Sequence, residues 1–262
     1  MTEPILLRHD EAGIATLTLN APGALNALSD AMLAALTEAF TALAADRSIR
    51  VVILRGTGRA FCAGHDLKEM QAARQSPDKG AAYFQSLFDR CATMMQMIPA
   101  LPQPVIAQVH GIATAAGCQL AASCDMVVAS TGTRFGVNGV NIGLFCSTPM
   151  VALTRKIPRG LAFEMLTTGE FISAERAREA GLVNRVTDAD TLPDVTMALA
   201  GTVAAKLGRA LRIGKRAFYD QADLPIDQAY AYAGAAMVEN MLERDTDEGI
   251  TAFLQKRKPD WA

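Results

Sequence analysis

Apolar and polar residues alternate with a period of two over residues 13–20 (GIATLTLN), which predicts a strand. Residues 30–46 (DAMLAALTEAFTALAAD) repeat their apolar positions at helical spacing, with Ser29 or Asp30 placed to cap the helix. A short apolar run closed by glycine, 51–56 (VVILRG), has the pattern of a buried strand. A long helix is predicted over 80–98, stopped by the prolines at 99, 102 and 104. Strands follow at 105–111 (VIAQVHG) and 125–130 (DMVVAS). After residue 161 the chain turns mostly helical, through AFEMLTTG, SAERAREAG, LPDVTMALAGTVAAKL and the stretch 226–257. Strands alternating with helices, then helices alone, predict an α/β core over 1–195 and a helical oligomerisation region over 196–262.

Composition narrows the function classes. A net charge of -2 over 262 residues leaves no electrostatic footprint for nucleic acid. No apolar run is long enough to span a membrane, and the opening MTEPILLRHDEAG lacks the apolar core of a secretory signal. Five cysteines, with no metal-ligand spacing, read as free thiols in a reducing compartment, and the expectation is a cytoplasmic protein. No His/Asp/Glu cluster has the spacing of a metal site.

Two glycine-flanked turns carry the candidate chemistry. RAFCAGHDLKEM (59–70) follows a strand and opens a helix, and Asp66 with Glu69 three residues on fits a capping box. GIATAAGCQLA (111–121) repeats the plan: strand, turn, then a helix from about Ala115. Small residues at a helix start let a ligand reach backbone N–H groups that lack intrahelical partners. Two such turns facing one another offer two donors to one oxygen, an oxyanion hole. GIATAAG lacks the G-x-G-x-x-G pattern, so a dinucleotide fold is not indicated.

The pair AFCAGHDL and GIATAAGCQLAASCD resembles the crotonase superfamily of enoyl-CoA hydratases and isomerases. So do NAPGALNALSDAML, FISAERAREAGLVNRV and the tail EGITAFLQKRKPDW. The resemblance implies an α/β spiral of ββα turns, a homotrimer or dimer of trimers, and a lyase- or isomerase-type enzyme of fatty-acid metabolism. The ligand would be an acyl-CoA thioester, with coenzyme A as part of the substrate and no permanent cofactor. The oxyanion donors would be the N–H groups of Ala63 and Ala116. Ala24, Leu25 and Ala27 would lie along the CoA, with Gly64 and Asp66 on the adjoining turn. Lys256 or Lys258 would reach CoA phosphates, from this chain or a neighbour, or else form a solvated basic tail.

Hydratases of this superfamily use two glutamates, and neither is present. One position holds Gln119, the other Gly139 in FGVNGVNIG. An amide has no proton equilibrium near neutral pH, and glycine has no side chain. Of the three histidines, His65 borders the proposed pocket, either as a proton carrier or as lining; His9 and His110 lie outside it. Cys146 faces the same pocket, as a small hydrophobe or a nucleophile. Asn138, Asn141 and Ser147 are candidates to orient a polar acyl group. Classical hydration should be weak or lost. Enolate stabilisation, decarboxylation, thioester hydrolysis and binding without turnover stay open.

Overall fold

The computed structural model describes residues 3–261. β1 (Leu6–Glu11) and β2 (Ile14–Leu19) form an antiparallel hairpin. Ser29 Oγ accepts from the Met32 N–H to start α1 (Asp30–Ala45), which buries Met32, Leu33, Leu36, Phe40 and Leu43 along one stripe. The chain then enters β3 (Val51–Gly56), parallel to β2, and continues through α2 (Leu67–Ala73) and α3 (Ala81–Ala100). β4 (Val105–Val109), β5 (Ile112–Thr114), α4 (Ala116–Ser123), β6 (Met126–Ser130) and β7 (Arg134–Gly136) follow. Next come α5 (Pro149–Leu153), α6 (Arg159–Thr168), β8 (Ile172–Ser173), α7 (Ala174–Glu179) and β9 (Arg185–Thr187).

A six-stranded sheet in the order β1-β2-β3-β4-β6-β9 is parallel except for its first hairpin. β5, β7 and β8 make a second sheet. β4 steps into β5 and β6 into β7, so the chain winds as a spiral of ββα turns. The three short strands have only two or three residues each, too few for a period to show in the sequence.

The apolar core gathers residues of the main sheet with those of α1, α3 and α4, including Leu17, Leu36, Phe40, Leu54, Met94 and Leu120. A second cluster joins Ile14, Val51, Ile53, Ile106 and Val128 of the strands to Leu192, Leu199 and Ala200 of α8 (Leu192–Ala204). Each large aliphatic side chain buried there contributes roughly 1.5–3 kcal/mol. α8 straddles residue 195 and belongs to the packing of the sheet.

The remaining helices are α9 (Gly208–Asp220), α10 (Ile226–Met241) and α11 (Arg244–Leu254). α9 is pinned to the core by Lys215, whose Nζ donates to the carbonyls of Ile98 and Gln103 (2.9 Å each) and to Asp125 Oδ2 (2.7 Å). Tyr219 donates to Asp125 Oδ1 (2.7 Å), and the same carboxylate accepts from the Val105 N–H (2.6 Å) at the start of β4. α10 buries no residue, and Ile226, Leu242 and Phe253 are 76%, 82% and 82% exposed in the single chain. No helix among the described residues is long and apolar enough to cross a membrane.

One expected boundary is corrected. α3 does not stop before Pro99 but runs through it to Ala100. A proline in the last turn forfeits one hydrogen bond, and the Leu101 N–H closes the helix onto the Met97 and Ile98 carbonyls at 2.8 and 3.3 Å.

Candidate functional site

The parallel strands β2, β3 and β4 deliver three connections to one edge of the main sheet. After β2, a 3-10 turn (Pro22–Ala24) leads to Leu25 and Asn26, both at φ +53°. Asn26 is fully buried; its Oδ1 accepts from the Ala21 N–H (2.9 Å), and its Nδ2 donates to the Thr57 and Ala60 carbonyls (2.8 Å each). It ties this loop to the segment after β3, and the sequence reading passed over it. Its signal was an asparagine in a Pro-Gly turn, a residue that tolerates left-handed backbone. Leu25 O accepts from the Ala63 N–H (3.1 Å), and the Leu28 N–H donates to Gly64 O (2.7 Å). The expected CoA contacts Ala24, Leu25 and Ala27 therefore share a rim with Gly64.

The second turn is laced to the first. The Cys62 N–H donates to Ile112 O (3.2 Å) and the Thr114 N–H to Cys62 O (3.1 Å). A Cβ on Gly117 would lie 2.1 Å from Cys62 O, so only glycine permits this approach. A Cβ placed on Gly64 would be 3.3 Å from the Ala116 nitrogen, which measures how closely the turns face. Ala115, at φ 49° and ψ -122°, holds a conformation suited to glycine and thereby sets the first amide of α4. Ala115→Gly is expected to stabilise the fold by about 1 kcal/mol, read by urea denaturation. A loss of stability would show that the strain is absent.

This lacing decides which amides are free. The Ala63 N–H, expected as an oxyanion donor, donates to Leu25 O in this structure. The Gly64 N–H lies on the Cys62 thiol. Among the described residues the N–H groups of His65 and Ala116 make no hydrogen bond. The unpaired amide on the first turn is thus that of His65, two residues further along than Ala63.

The side chains complete the site. Gln119 is 5% exposed and its Oε1 has no partner. His65 sets Nδ1 3.4 Å from Leu28 O and packs edge-on against Phe88, with centroids 5.7 Å apart. Burial pulls its pKa below the ordinary imidazole value, so the ring is neutral at pH 7. With Nδ1 as donor, the buried and unpartnered Nε2 presents a lone pair. Cys146 is 6% exposed and accepts from the Gly139 N–H (3.4 Å); burial pushes its thiol pKa up, which opposes a thiolate nucleophile. A Cβ on Gly139 would fall 2.3 Å from Leu144 O, so this position has no room for any side chain.

The nearby acids are engaged. Asp66 caps α2, accepting from the Lys68 and Glu69 N–H groups. Glu69 does not reach back to close a capping box; it accepts from the Asp30 N–H (2.9 Å) at the start of α1. Asn138 accepts from Thr114 Oγ1, Asn141 donates to Gly169 O (3.3 Å), and Ser147 donates to Phe145 O (3.4 Å). His9 is exposed, and His110 Nε2 lies 2.8 Å from Gly58 O. Lys256 and Lys258 sit in a tail folded onto α11 by Arg257, which pairs with Glu248 (2.6 and 2.8 Å). Among the described residues, no hydrogen bond or ion pair joins either lysine side chain to the 24–27 loop.

Comparison with known proteins agrees with the fold. The family model for enoyl-CoA hydratase/isomerase matches residues 9–262. The human protein named enoyl-CoA hydratase domain-containing protein 3, mitochondrial, is 45% identical, over 95% of this chain and 81% of its own. ATAAGCQL and GVNIGLFCSTP are the stretches that resemble proteins of that name. The 2,3-dehydroadipyl-CoA hydratase of Escherichia coli is 35% identical, over 100% of this chain and 99% of its own. The crystal structure of an enoyl-CoA hydratase from Mycobacterium smegmatis superposes with a TM-score of 0.95 at 55% identity, covering 99% of both chains. The cytoplasmic expectation is corrected by relatives from fish, frog, mouse, rat and human that all carry the mitochondrial designation. Free thiols report a reducing environment, and the cytosol is only one such compartment. With its spiral fold, its two facing turns and this family match, the chain belongs to the enoyl-CoA hydratase/isomerase family.

Proposed function

We propose that this protein binds an acyl-CoA thioester at the C-terminal edge of the main sheet and stabilises its enolate with two backbone donors, His65 N–H and Ala116 N–H. The observation that carries this reading is that these two amides lack acceptors on turns held in contact through Cys62 and Gly117. The Ala24–Ala27 rim is positioned to receive the CoA moiety. A preorganised pair of donors costs no reorganisation when charge develops on the thioester oxygen, and each is worth about 3 kcal/mol.

The free acids of a classical hydratase are missing, so the proton inventory favours reactions that need an enolate but no strong base. Decarboxylation is one: the carbon–carbon bond breaks, carbon dioxide leaves, and the electron pair passes to the thioester oxygen before the α-carbon takes a proton. Thioester hydrolysis draws on the same donors. His65 Nε2 and Gln119 Oε1 are both buried and unpartnered, which supports assigning them to hold a water or a transferring proton. A homotrimer or a dimer of trimers would cover the apolar faces of α10 and α11.

The test is spectroscopic. A conjugated dienoyl-CoA bound by this protein is expected to show a red-shifted absorbance, because the donors polarise its carbonyl. Replacing the residue-116 amide by an ester removes one donor without adding bulk, and should weaken the shift and the affinity together. Ala116 is only 1% exposed, so a larger side chain there would disturb the core instead. Tight binding with no shift would place the oxygen elsewhere. Mass spectrometry of products from an acyl-CoA panel separates turnover from binding alone.

A further inference from the structure

The opposite edge of the main sheet carries a second recess. Residues 46–50 lead into β3 and 102–103 into β4, and the six residues of β3 separate this edge from the thioester site by roughly 20 Å. Asp46, Arg47, Arg50, Gln103, Gly208 and Arg212 contribute to its wall, around a cavity of about 10 Å³, room for one oxygen-sized atom.

Three arginines meet there without matching carboxylates. Among the described residues none of Arg47, Arg50 and Arg212 forms an ion pair. Arg50 donates an Nη to the Lys206 carbonyl, but its Nε is buried with no acceptor. Burial, and then the charges of Arg47, Arg209 and Arg50, pull the pKa of Arg212 down, with Glu243 opposing only in part, so the arginines repel one another on balance. The surrounding acids are committed elsewhere. Asp46 accepts from the Ser48 N–H and Oγ (3.0 and 2.6 Å) and pairs with Arg8 (3.0 Å). Glu243 pairs with Arg209 (2.8 Å). Gly208 on the wall is also the first residue of α9, a 13-residue helix with no side-chain cap, which adds the positive end of its dipole.

We propose that this recess binds a phosphate-type oxyanion, separately from the thioester site. One oxygen enters the cavity beside Arg50 and the first amides of α9, and the outer oxygens are met by Arg47 and Arg212. The ligand offsets the repulsion among the arginines and fixes the start of α9 against the strand edge.

Thermal unfolding of the full chain tests this, with inorganic phosphate and diphosphate as probes and chloride at matched ionic strength as reference. Phosphate or diphosphate is expected to raise the Tm of the wild type and of the remote control Arg155→Gln by several degrees at saturation. Arg47→Gln and Arg212→Gln should each weaken the response about tenfold. Without anion, both should melt at or above the wild type, because a like charge has been removed. Three results overturn the proposal: no response in the wild type, an equal response in these variants or to chloride, or variants that melt lower without anion. The last would show that the arginines serve the fold alone.

Discussion

Crotonyl-CoA is expected to be hydrated by this protein about 10²–10⁴-fold more slowly than by a family member carrying both glutamates, the range that general acid–base catalysis supplies. The residue on α4 is Gln119, an amide that cannot take a proton from water near neutral pH. The residue of the 3-10 turn (Asn138–Ile142) is Gly139, and the chain closes over it. Gln119→Glu returns one carboxylate. Adding Gly139→Glu is not expected to return the second, since its Cβ alone would meet Leu144 O at 2.3 Å and Cys146 Sγ at 2.9 Å. Loss of the enoyl absorbance measures both rates. Wild-type turnover within tenfold of such a hydratase would show that another group, His65 foremost, activates the water.

Gly117→Ala should be the most damaging single-methyl change near the site. Its Cβ would stand 2.1 Å from Cys62 O and 2.7 Å from Cys62 C, both backbone atoms tied into the link between the turns. Relief requires α4 to withdraw from the Cys62 segment, which moves the Ala116 amide away from His65. The expected cost is about 3 kcal/mol or more in stability, with acyl-CoA affinity lost in whatever protein folds. Gly201→Ala is the control: it lies within α8 with nothing within 4 Å of the added carbon, and should stabilise by about 1 kcal/mol. Denaturant titration of both variants gives the comparison. Equal effects in the two would mean that the junction tolerates displacement.

Where the sequence is legible, the physics is local. The period of two over β2, the stripe and Ser29 cap of α1, and the glycine that ends β3 all follow from residues within one element. The facing turns could be located because small residues at helix starts are a local mark. Choosing the free amide could not, because it depends on Leu25 O, nearly forty residues upstream, taking the Ala63 N–H. Glu69 repeats the lesson: spacing pairs it with Asp66, and packing gives it to Asp30. Gly139 reads as a missing acid, whereas the fold shows a position with no space for one.

The buried hold of α9 on the core bears on how far the chain can be shortened. Asp125 is 15% exposed at its side chain and Lys215 6%, and the helix supplying Lys215 and Tyr219 begins only at Gly208. Truncation ahead of that helix would remove the Lys215 ammonium and the Tyr219 hydroxyl, leaving the carboxylate with the Val105 N–H and the neighbouring Lys156, whose Nζ donates to the Asp125 carbonyl at 3.3 Å. Removing one partner of a buried ion pair costs up to about 3–5 kcal/mol, which Lys156 and the water admitted by the loss of α9 lessen here, against the roughly 5–15 kcal/mol of a typical domain. A shortened chain that keeps this hold on the core is expected to extend through Asp220, the end of α9, with α10 and α11 lying outside it.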